Sequence, residues 1–397
     1  MDITASDKLN KLGNYAFDEV NKIVAKLKEE GVTPIDFGVG DPSSPAPEFV
    51  RNAVKEALDT YASSGYPSYI GQLKYRQTIS KWMNERFGIT MDPNTEICST
   101  VGSKEAVFNF PQAFINNDDI VILPNPGYPP MKNGTIFAGG IPYFVSLKEE
   151  NNFLLDYKKI PEDIAKKAKI IWINYPNSPT GVCATHEYYE GLIEWAQKYN
   201  IIIAADEGCY IDIYFDKKPI SILELTKTGI ITFYSMSKRN NMTGYRVGWV
   251  AGDKDIIEKF KKLKTNIDSG TPDFVQAGAI AALLDEDHAK VMRKEYEEKR
   301  NIMLEAFKTA GWQTPKSEAT FYLWLKTPQG LNSLEFAKEL LSKELAVVVT
   351  PGAWISDIDS DGFNPGDNYV RFALVPPLDQ VKIAAERIKK FYSKNKY

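Results

Sequence analysis

Five short apolar runs, at residues 120–123, 170–173, 201–205, 230–234 and 247–251, constrain this chain more than any other feature. They hardly alternate apolar with polar residues, and helical patterns are interleaved with them. A strand that is apolar along its whole length has to be covered on both faces. That condition is met by a mostly parallel sheet between two helical layers. The expected fold class is therefore α/β, with ligands bound at the carboxyl ends of the strands, where such sheets take them.

The flanks read differently. Phe17, Val20, Val24 and Leu27 recur at spacings of three and four, which predicts an amphipathic helix ending at Gly31, followed by a short strand at 35–39. Past residue 290, a charged helix at 294–310 precedes a strand at 321–325, a helix at 333–341 and strands at 346–350 and 369–374. Residues 46–290 are expected to form a large domain on the central sheet. Residues 1–45 and 291–397 are expected to form a smaller α+β domain built from both termini.

Composition removes several function classes. A net charge of −4 with interspersed lysines and acids gives no electrostatic footprint for nucleic acid. No apolar run is long enough to span a membrane. The first residues lack the apolar core of a signal peptide, so a cytoplasmic location is expected. Cys98, Cys183 and Cys209 are odd in number and lack metal-ligand spacing, as free thiols in a reducing compartment would be. His186 and His288 lie away from the apolar strand ends, which argues against a histidine-based triad or a metal site.

The chemistry is concentrated after the run at 230–234. There Ser235-Met236-Ser237-Lys238 is followed, eight residues after the lysine, by Arg246 in the turn Gly244-Tyr245-Arg246-Val247-Gly248. A lysine on a loop at a strand end is placed to form a Schiff base if its neighbours lower its pKa. Two hydroxyls and a planar guanidinium make a phosphate cradle. A lysine for an aldehyde and a cradle for a phosphate together suggest pyridoxal phosphate. The segment resembles the Schiff-base segment of the class I aminotransferases, which are fold type I pyridoxal phosphate enzymes.

That resemblance covers nearly the whole chain and implies roles for further residues. Gly102, Ser103 and Lys104, at a strand-to-helix junction, stand where the family places its phosphate loop. Tyr128, in Pro126-Gly127-Tyr128-Pro129, matches the ring that stacks on the pyridine. Asn174-Tyr175-Pro176-Asn177-Ser178-Pro179-Thr180-Gly181 looks like the family's Asn-Pro-x-Asn-Pro-Thr-Gly segment. Ser178 replaces the asparagine that commonly bonds the cofactor's phenolic oxygen, so either Ser178 reaches that oxygen or Asn177 takes over.

Asp206 and Tyr210 match an aspartate and a tyrosine that the family spaces by three, but here they are four apart. Counted from the strand, Asp206 pairs with the pyridinium nitrogen; counted back from Tyr210, Glu207 does. The strand fixes position, which favours Asp206, with Gly208 absorbing the extra residue in a bulge. Arg371, in an apolar strand, matches the arginine that grips the substrate α-carboxylate, and Gly40 the glycine whose N–H assists it. Tyr66 matches a tyrosine that reaches the phosphate of the neighbouring subunit, which implies a homodimer.

The implied activity moves an amino group between an L-amino acid and a 2-oxo acid such as 2-oxoglutarate, with Lys238 as general base and ping-pong kinetics. A β-lyase or decarboxylase can share every cofactor contact. A cofactor-sensing regulator would need a DNA-binding segment, and none flanks the fold. A dehydrogenase or NTPase would need G-x-G-x-x-G or G-x-x-x-x-G-K-[ST], and neither occurs. The stretches YPSYIG, STVGSKEAVF, NPGYPP and SKRNNMTGYRVGWVAGD most resemble the branch holding the LL-diaminopimelate and N-succinyl-diaminopimelate aminotransferases, with aspartate and broad-specificity enzymes nearby. LL-diaminopimelate or its N-succinyl derivative is the expected amino donor.

Overall fold

The computed structural model describes residue 1, residues 3–12 and residues 18–394. A short strand, β1 (Ile35–Asp36), precedes seven strands that build one sheet. These are β2 (Ile97–Thr100), β3 (Ile120–Asn125), β4 (Ile141–Ser146), β5 (Ala168–Ile173), β6 (Ile202–Gly208), β7 (Ile230–Ser235) and β8 (Gly248–Gly252). Their spatial order is β2-β8-β7-β6-β5-β3-β4. The five strands from β7 across to β4 pair in parallel, and four of them, β3, β5, β6 and β7, carry the apolar runs at 120–123, 170–173, 201–205 and 230–234. β8 is the exception, antiparallel to both β2 and β7. A parallel return needs a crossover of a dozen or more residues, usually with a helix long enough to cover the sheet. Residues 236–247 contain only the short helical turns Met236–Arg239 and Thr243–Tyr245, so the chain turns straight back. Both Lys238 and Arg246 lie on this return.

Alternate residues of each strand feed opposite apolar layers. Ile122, Ile171, Ile173, Ile203 and Ala205 pack on one side. Val121, Leu123, Ile170, Trp172, Ala204, Ile231 and Phe233 pack on the other. Two-sided burial explains why the runs hardly alternate. The edge strand β4 is only partly buried, and its sequence, Ile-Pro-Tyr-Phe-Val-Ser, is not a continuous apolar run.

Four further strands lie elsewhere: β9 (Tyr322–Lys326), β10 (Val347–Val348), β11 (Thr350–Pro351) and β12 (Tyr369–Ala373). β11, β12 and β9 form an antiparallel sheet in that order, while β10 pairs in parallel with β1. The run expected as one strand at 346–350 thus divides at Val349, where the chain changes partners. A separate apolar cluster joins Ile35 and Phe37 to Phe307, Leu323, Val347, Phe372 and Ile388. The helix Asp18–Glu29 packs Leu27 against Leu341 and Val348, while Phe17 lies outside the described residues. The helix expected from 294 begins earlier, as Asp287–Thr309, and runs unbroken past residue 290. No helix among the described residues is long and apolar enough to cross a membrane.

One irregularity in the parallel pairing shapes the site. Ala205 pairs with Thr232 and Gly208 with Tyr234, so β6 spends three steps where β7 spends two. The extra residue lies within Asp206-Glu207, a β-bulge that bends the strand as it leaves the sheet. Gly208 makes the return to register possible. A Cβ there would stand 2.1 Å from Cδ1 of Tyr234. Gly208→Ala is therefore expected to lower stability by about 1–3 kcal/mol, as overpacking does. The readout is a lower urea midpoint with an unchanged slope.

Candidate active site

The carboxyl ends of β5, β6 and β7 open into a cleft of about 310 Å³. β7 delivers Ser235, whose Oγ caps the turn Met236–Arg239 by accepting from the Ser237 N–H at 3.2 Å. Ser235 Oγ also donates to Ser237 Oγ at 2.8 Å. Lys238 Nζ points across the cleft and donates to the Gly40 carbonyl at 2.5 Å. Arg246 returns from the far end of the same connection with φ +54°, a left-handed backbone that arginine adopts only when its surroundings enforce it. Its Nη1 donates to the Thr243 carbonyl at 2.7 Å.

The Arg246 guanidinium lies against Gly102, where a Cβ would stand 2.3 Å from Nη2. Gly102 has φ +74°, so glycine is required there on both counts. Ser103 and Lys104, at the start of the helix Ser103–Asn109, line the same end of the cleft. Hydroxyls, a guanidinium and the start of a helix thus share one end, an arrangement suited to an anion.

The bulge decides what lies deeper. Asp206 lines the cleft and Glu207 does not. Asp206 is buried, and among the described residues its Oδ1 has no hydrogen-bond partner. Burial pushes its carboxyl up to about 7, against the downward pull of a hydrogen bond from Cys209. Glu207 turns the other way. It accepts from the Tyr234 hydroxyl at 2.8 Å, from Ser221 Oγ, and from the Ile222 N–H at 3.2 Å. Burial pushes its carboxyl up to about 7 as well, opposed by those three bonds.

A similar division separates Ser178 from Asn177. The Asn177 amide is committed to its own turn. Its Oδ1 accepts from Thr180 N–H and Oγ1 at 3.2 and 2.7 Å, and its Nδ2 donates to the Asn174 carbonyl at 3.0 Å. Ser178 lines the cleft, as do Tyr128 and Tyr210. Asn174 and Tyr322 also line the cleft, beyond the residues expected there. Asn174 joins the turn to the bulge, accepting from the Ser178 N–H at 2.8 Å and donating to the Asp206 carbonyl. Tyr322, at the start of β9, exchanges a 3.2 Å hydrogen bond with the Tyr210 hydroxyl. Asn174 opens the Asn-Tyr-Pro-Asn-Ser-Pro-Thr-Gly segment, which is a usable signal. Tyr322 sits in an apolar strand and carries none.

Arg371, on β12, lies 4.6 Å over the Tyr322 ring. Its Nη2 donates to the Gly38 carbonyl at 2.9 Å and to Thr350 Oγ1 at 3.2 Å. Its Nε is buried and unpartnered among the described residues. Gly40 also lines the cleft, and a Cβ there would collide with the Tyr322 hydroxyl at 1.9 Å. Tyr66 lies apart from these residues, 90 % exposed and outside the cleft.

These residues fit pyridoxal phosphate. The anion-suited end matches the phosphate, and the unpartnered Oδ1 of Asp206 could serve a protonated ring nitrogen. Among the described residues, Lys238 and Lys104 are the lysines that line the cleft, Lys104 in the first turn of the helix Ser103–Asn109. Ser103, Ser235, Ser237 and Arg246 could hold the phosphate, Tyr128 the ring face, and Ser178 and Tyr210 the phenolic oxygen.

Comparison with known proteins agrees with this geometry. A family model described as aminotransferase class I and II matches residues 32–388. The LL-diaminopimelate aminotransferase of Aquifex aeolicus is 46 % identical over 389 residues, covering 97 % of this chain and 98 % of that one. The enzyme of the same name from Halothermothrix orenii is 43 % identical over 389 residues, covering 97 % of each. Among solved structures, an aminotransferase from Neisseria meningitidis has a TM-score of 0.89 at 31 % identity, covering 97 % of this chain and 99 % of that one. A probable N-succinyldiaminopimelate aminotransferase from Thermus thermophilus has a TM-score of 0.86 at 29 % identity, covering 94 % and 99 %.

The opposite orientations of the two adjacent carboxylates can be tested directly. If Asp206 is the partner of the ring nitrogen, Asp206→Asn leaves a neutral group there, and a charge-assisted hydrogen bond is worth about 1.5–3 kcal/mol. A loss of at least about tenfold in kcat is expected. Glu207→Gln should leave kcat within a few-fold of wild type. Steady-state rates that rank the two variants the other way would assign the ring nitrogen to Glu207.

Proposed function

The chain belongs to the class I and II aminotransferases, and from that premise we propose that its amino donor is LL-diaminopimelate and its acceptor a 2-oxo acid such as 2-oxoglutarate. The observation that carries this choice is the full-length likeness to the enzymes of that name. When bound, pyridoxal phosphate supplies an aldehyde carbon and a ring that accepts the electrons of a broken Cα–H bond.

The chain's own residues do the rest. Arg371 takes the substrate α-carboxylate in a charge-assisted pair, its guanidinium plane set by the Tyr322 ring and its Nη2 anchored by Gly38 and Thr350. The Gly40 N–H adds a second hold on that carboxylate. Lys238 Nζ, released from the Gly40 carbonyl, takes the α-proton of the donor and later returns a proton. Asp206 Oδ1, left without a hydrogen-bond partner among the described residues, would accept a hydrogen bond from the ring N–H and so favour the protonated ring.

Three further assignments belong to this proposal. Residues 46–290 form the large domain, and residues 1–45 with 291–397 the small one. The separate apolar clusters support this division, and hydrogen exchange reporting two protection units would check it. A cytoplasmic location rests on the free cysteines, and cell fractionation tests it. The working unit is a homodimer in which the exposed Tyr66 reaches the phosphate held by its partner.

Three experiments test this reading. In a screen of single amino acids followed by cofactor absorbance, LL-diaminopimelate should convert the enzyme with kcat/KM at least about tenfold above aspartate, a difference of about 1.4 kcal/mol. Faster conversion by aspartate would assign a broad-specificity aminotransferase, and eliminated product without conversion a β-lyase. Arg371→Ala removes one member of a desolvated charge pair, which costs about 2–5 kcal/mol. It should lower kcat/KM about 30- to 4000-fold for every donor. Mixing Tyr66→Phe with Lys238→Ala subunits should restore activity if Tyr66 crosses the interface, because one site of each mixed dimer then escapes both defects. No recovery after verified exchange would confine Tyr66 to its own subunit.

A further inference from the structure

Lys238 sits on a single helical turn of four residues, Met236–Arg239, too short to hold its shape through its own hydrogen bonds. The neighbouring Arg239 side chain is only 5 % exposed and points away from the cleft. Its donors are engaged on every side. Nε donates to Asp212 Oδ2 at 2.7 Å, and Nη1 to the Ala282 carbonyl at 2.8 Å and Asn240 Oδ1 at 3.1 Å. Nη2 bonds Glu286 Oε1 and reaches the Asp285 carbonyl at 3.4 Å. Asp212 is 4 % exposed, and its other oxygen accepts from Arg86 Nε at 3.0 Å. Its carbonyl accepts from Arg293 Nη1 at 3.3 Å.

Asp212 lies two residues beyond Tyr210, on the segment that leaves the β6 bulge. One carboxylate therefore joins the stretch carrying Asp206 and Tyr210 to the turn carrying Lys238. Burial alone would raise the Asp212 carboxyl, but Arg239 and Arg86 outweigh it and hold it below the usual range. A buried ion pair is a weak source of stability, because desolvating both ions offsets their attraction. A guanidinium whose donors are all engaged does, however, fix direction in a way that a point charge cannot.

We propose that Arg239 is a positioning residue. Through its pair with Asp212 it sets where the Lys238 amine stands relative to Asp206 and Tyr210, and so governs the proton-transfer step. This rests on the reading of Lys238 as the base.

The test uses the holoenzyme of Arg239→Lys, which keeps the charge but cannot span Asp212, Ala282 and Glu286 together. Before any amino acid is added, the pH titration of the absorbance of the cofactor joined to Lys238 should move its midpoint by about 0.5 pH unit or more. The kcat should fall about 10- to 100-fold, since a displacement of about 1 Å in a reacting group costs up to about a hundredfold. The KM for the amino donor should stay within about twofold, because the carboxylate clamp stands on the other sheet. A lower melting temperature with an unmoved titration and an unchanged kcat would overturn the proposal, leaving the network merely structural.

If Arg239→Lys does not fold, Glu286→Gln serves instead. It loosens one end of Arg239 at a half-exposed partner and leaves the Asp212 pair intact. A smaller midpoint shift in either direction supports the proposal, and a wild-type titration overturns it. Borohydride reduction and peptide mapping on the same samples separate the two layers. A pyridoxyl label on a lysine other than Lys238 overturns the underlying reading and this proposal with it. A label on Lys238 with an unmoved titration overturns this proposal alone.

Discussion

Residues 236–247 reverse direction between two adjacent strands, and the cleft depends on that reversal. A crossover helix after β7 would have carried the chain over a face of the sheet and delivered Arg246 to its opposite end. The direct return keeps the Ser235 and Ser237 hydroxyls, the Lys238 amine and the Arg246 guanidinium at the carboxyl end of β7. Its cost appears in the left-handed backbone at Arg246 and in the close approach to Gly102, both of which the surrounding packing has to enforce.

Three carboxylates within seven residues show how burial is handled differently according to what each group faces. Asp212 lies between two arginines and stays ionised. Glu207 is surrounded by neutral donors, Tyr234, Ser221 and the Ile222 N–H, and burial raises its carboxyl. Asp206 is buried with one oxygen unsatisfied, at the cleft. Leaving a buried polar atom without a partner costs free energy, so its persistence marks the group that a ligand would complete. The order along the chain, open and then sealed and then bolted, follows from the bulge. It turns Asp206 and Glu207 to opposite sides, and past the end of β6 the chain runs on through a turn to the Asp212 anchor.

The second sheet supplies what the first lacks. Tyr322 and Arg371 come from β9 and β12, and Gly40 comes from the segment that follows β1. They meet Lys238 and Tyr210 through two contacts, the Lys238 bond to the Gly40 carbonyl and the Tyr322–Tyr210 hydroxyl pair. The cleft is thus assembled between elements with separate apolar cores, so a small shift of one sheet against the other changes the distance between Lys238 and Arg371.

Much of this was legible from sequence, because burial and chemistry leave local marks. Continuous apolar runs located β3, β5, β6, β7 and β8, since two-sided coverage tolerates them, although β8 is antiparallel and the parallel edge strand β4 carries no such run. The spacing from Ser235 through Lys238 to Arg246 pointed to two hydroxyls and a guanidinium beside an amine, which the cleft brings together, and Arg371 was conspicuous as an arginine in an apolar strand. What the chain could not settle alone was which of two neighbouring residues faces the cleft. Asp206 against Glu207 was decided by a bulge whose return requires Gly208 to pass the Tyr234 ring, and Ser178 against Asn177 by the hydrogen bonds of a tight turn. The antiparallel course of β8, the wall made by Tyr322 and the bolt between Arg239 and Asp212 likewise carry no local mark. Each is a relation between distant segments, and register, strand direction and the partner of a buried charge exist only once those segments are packed together.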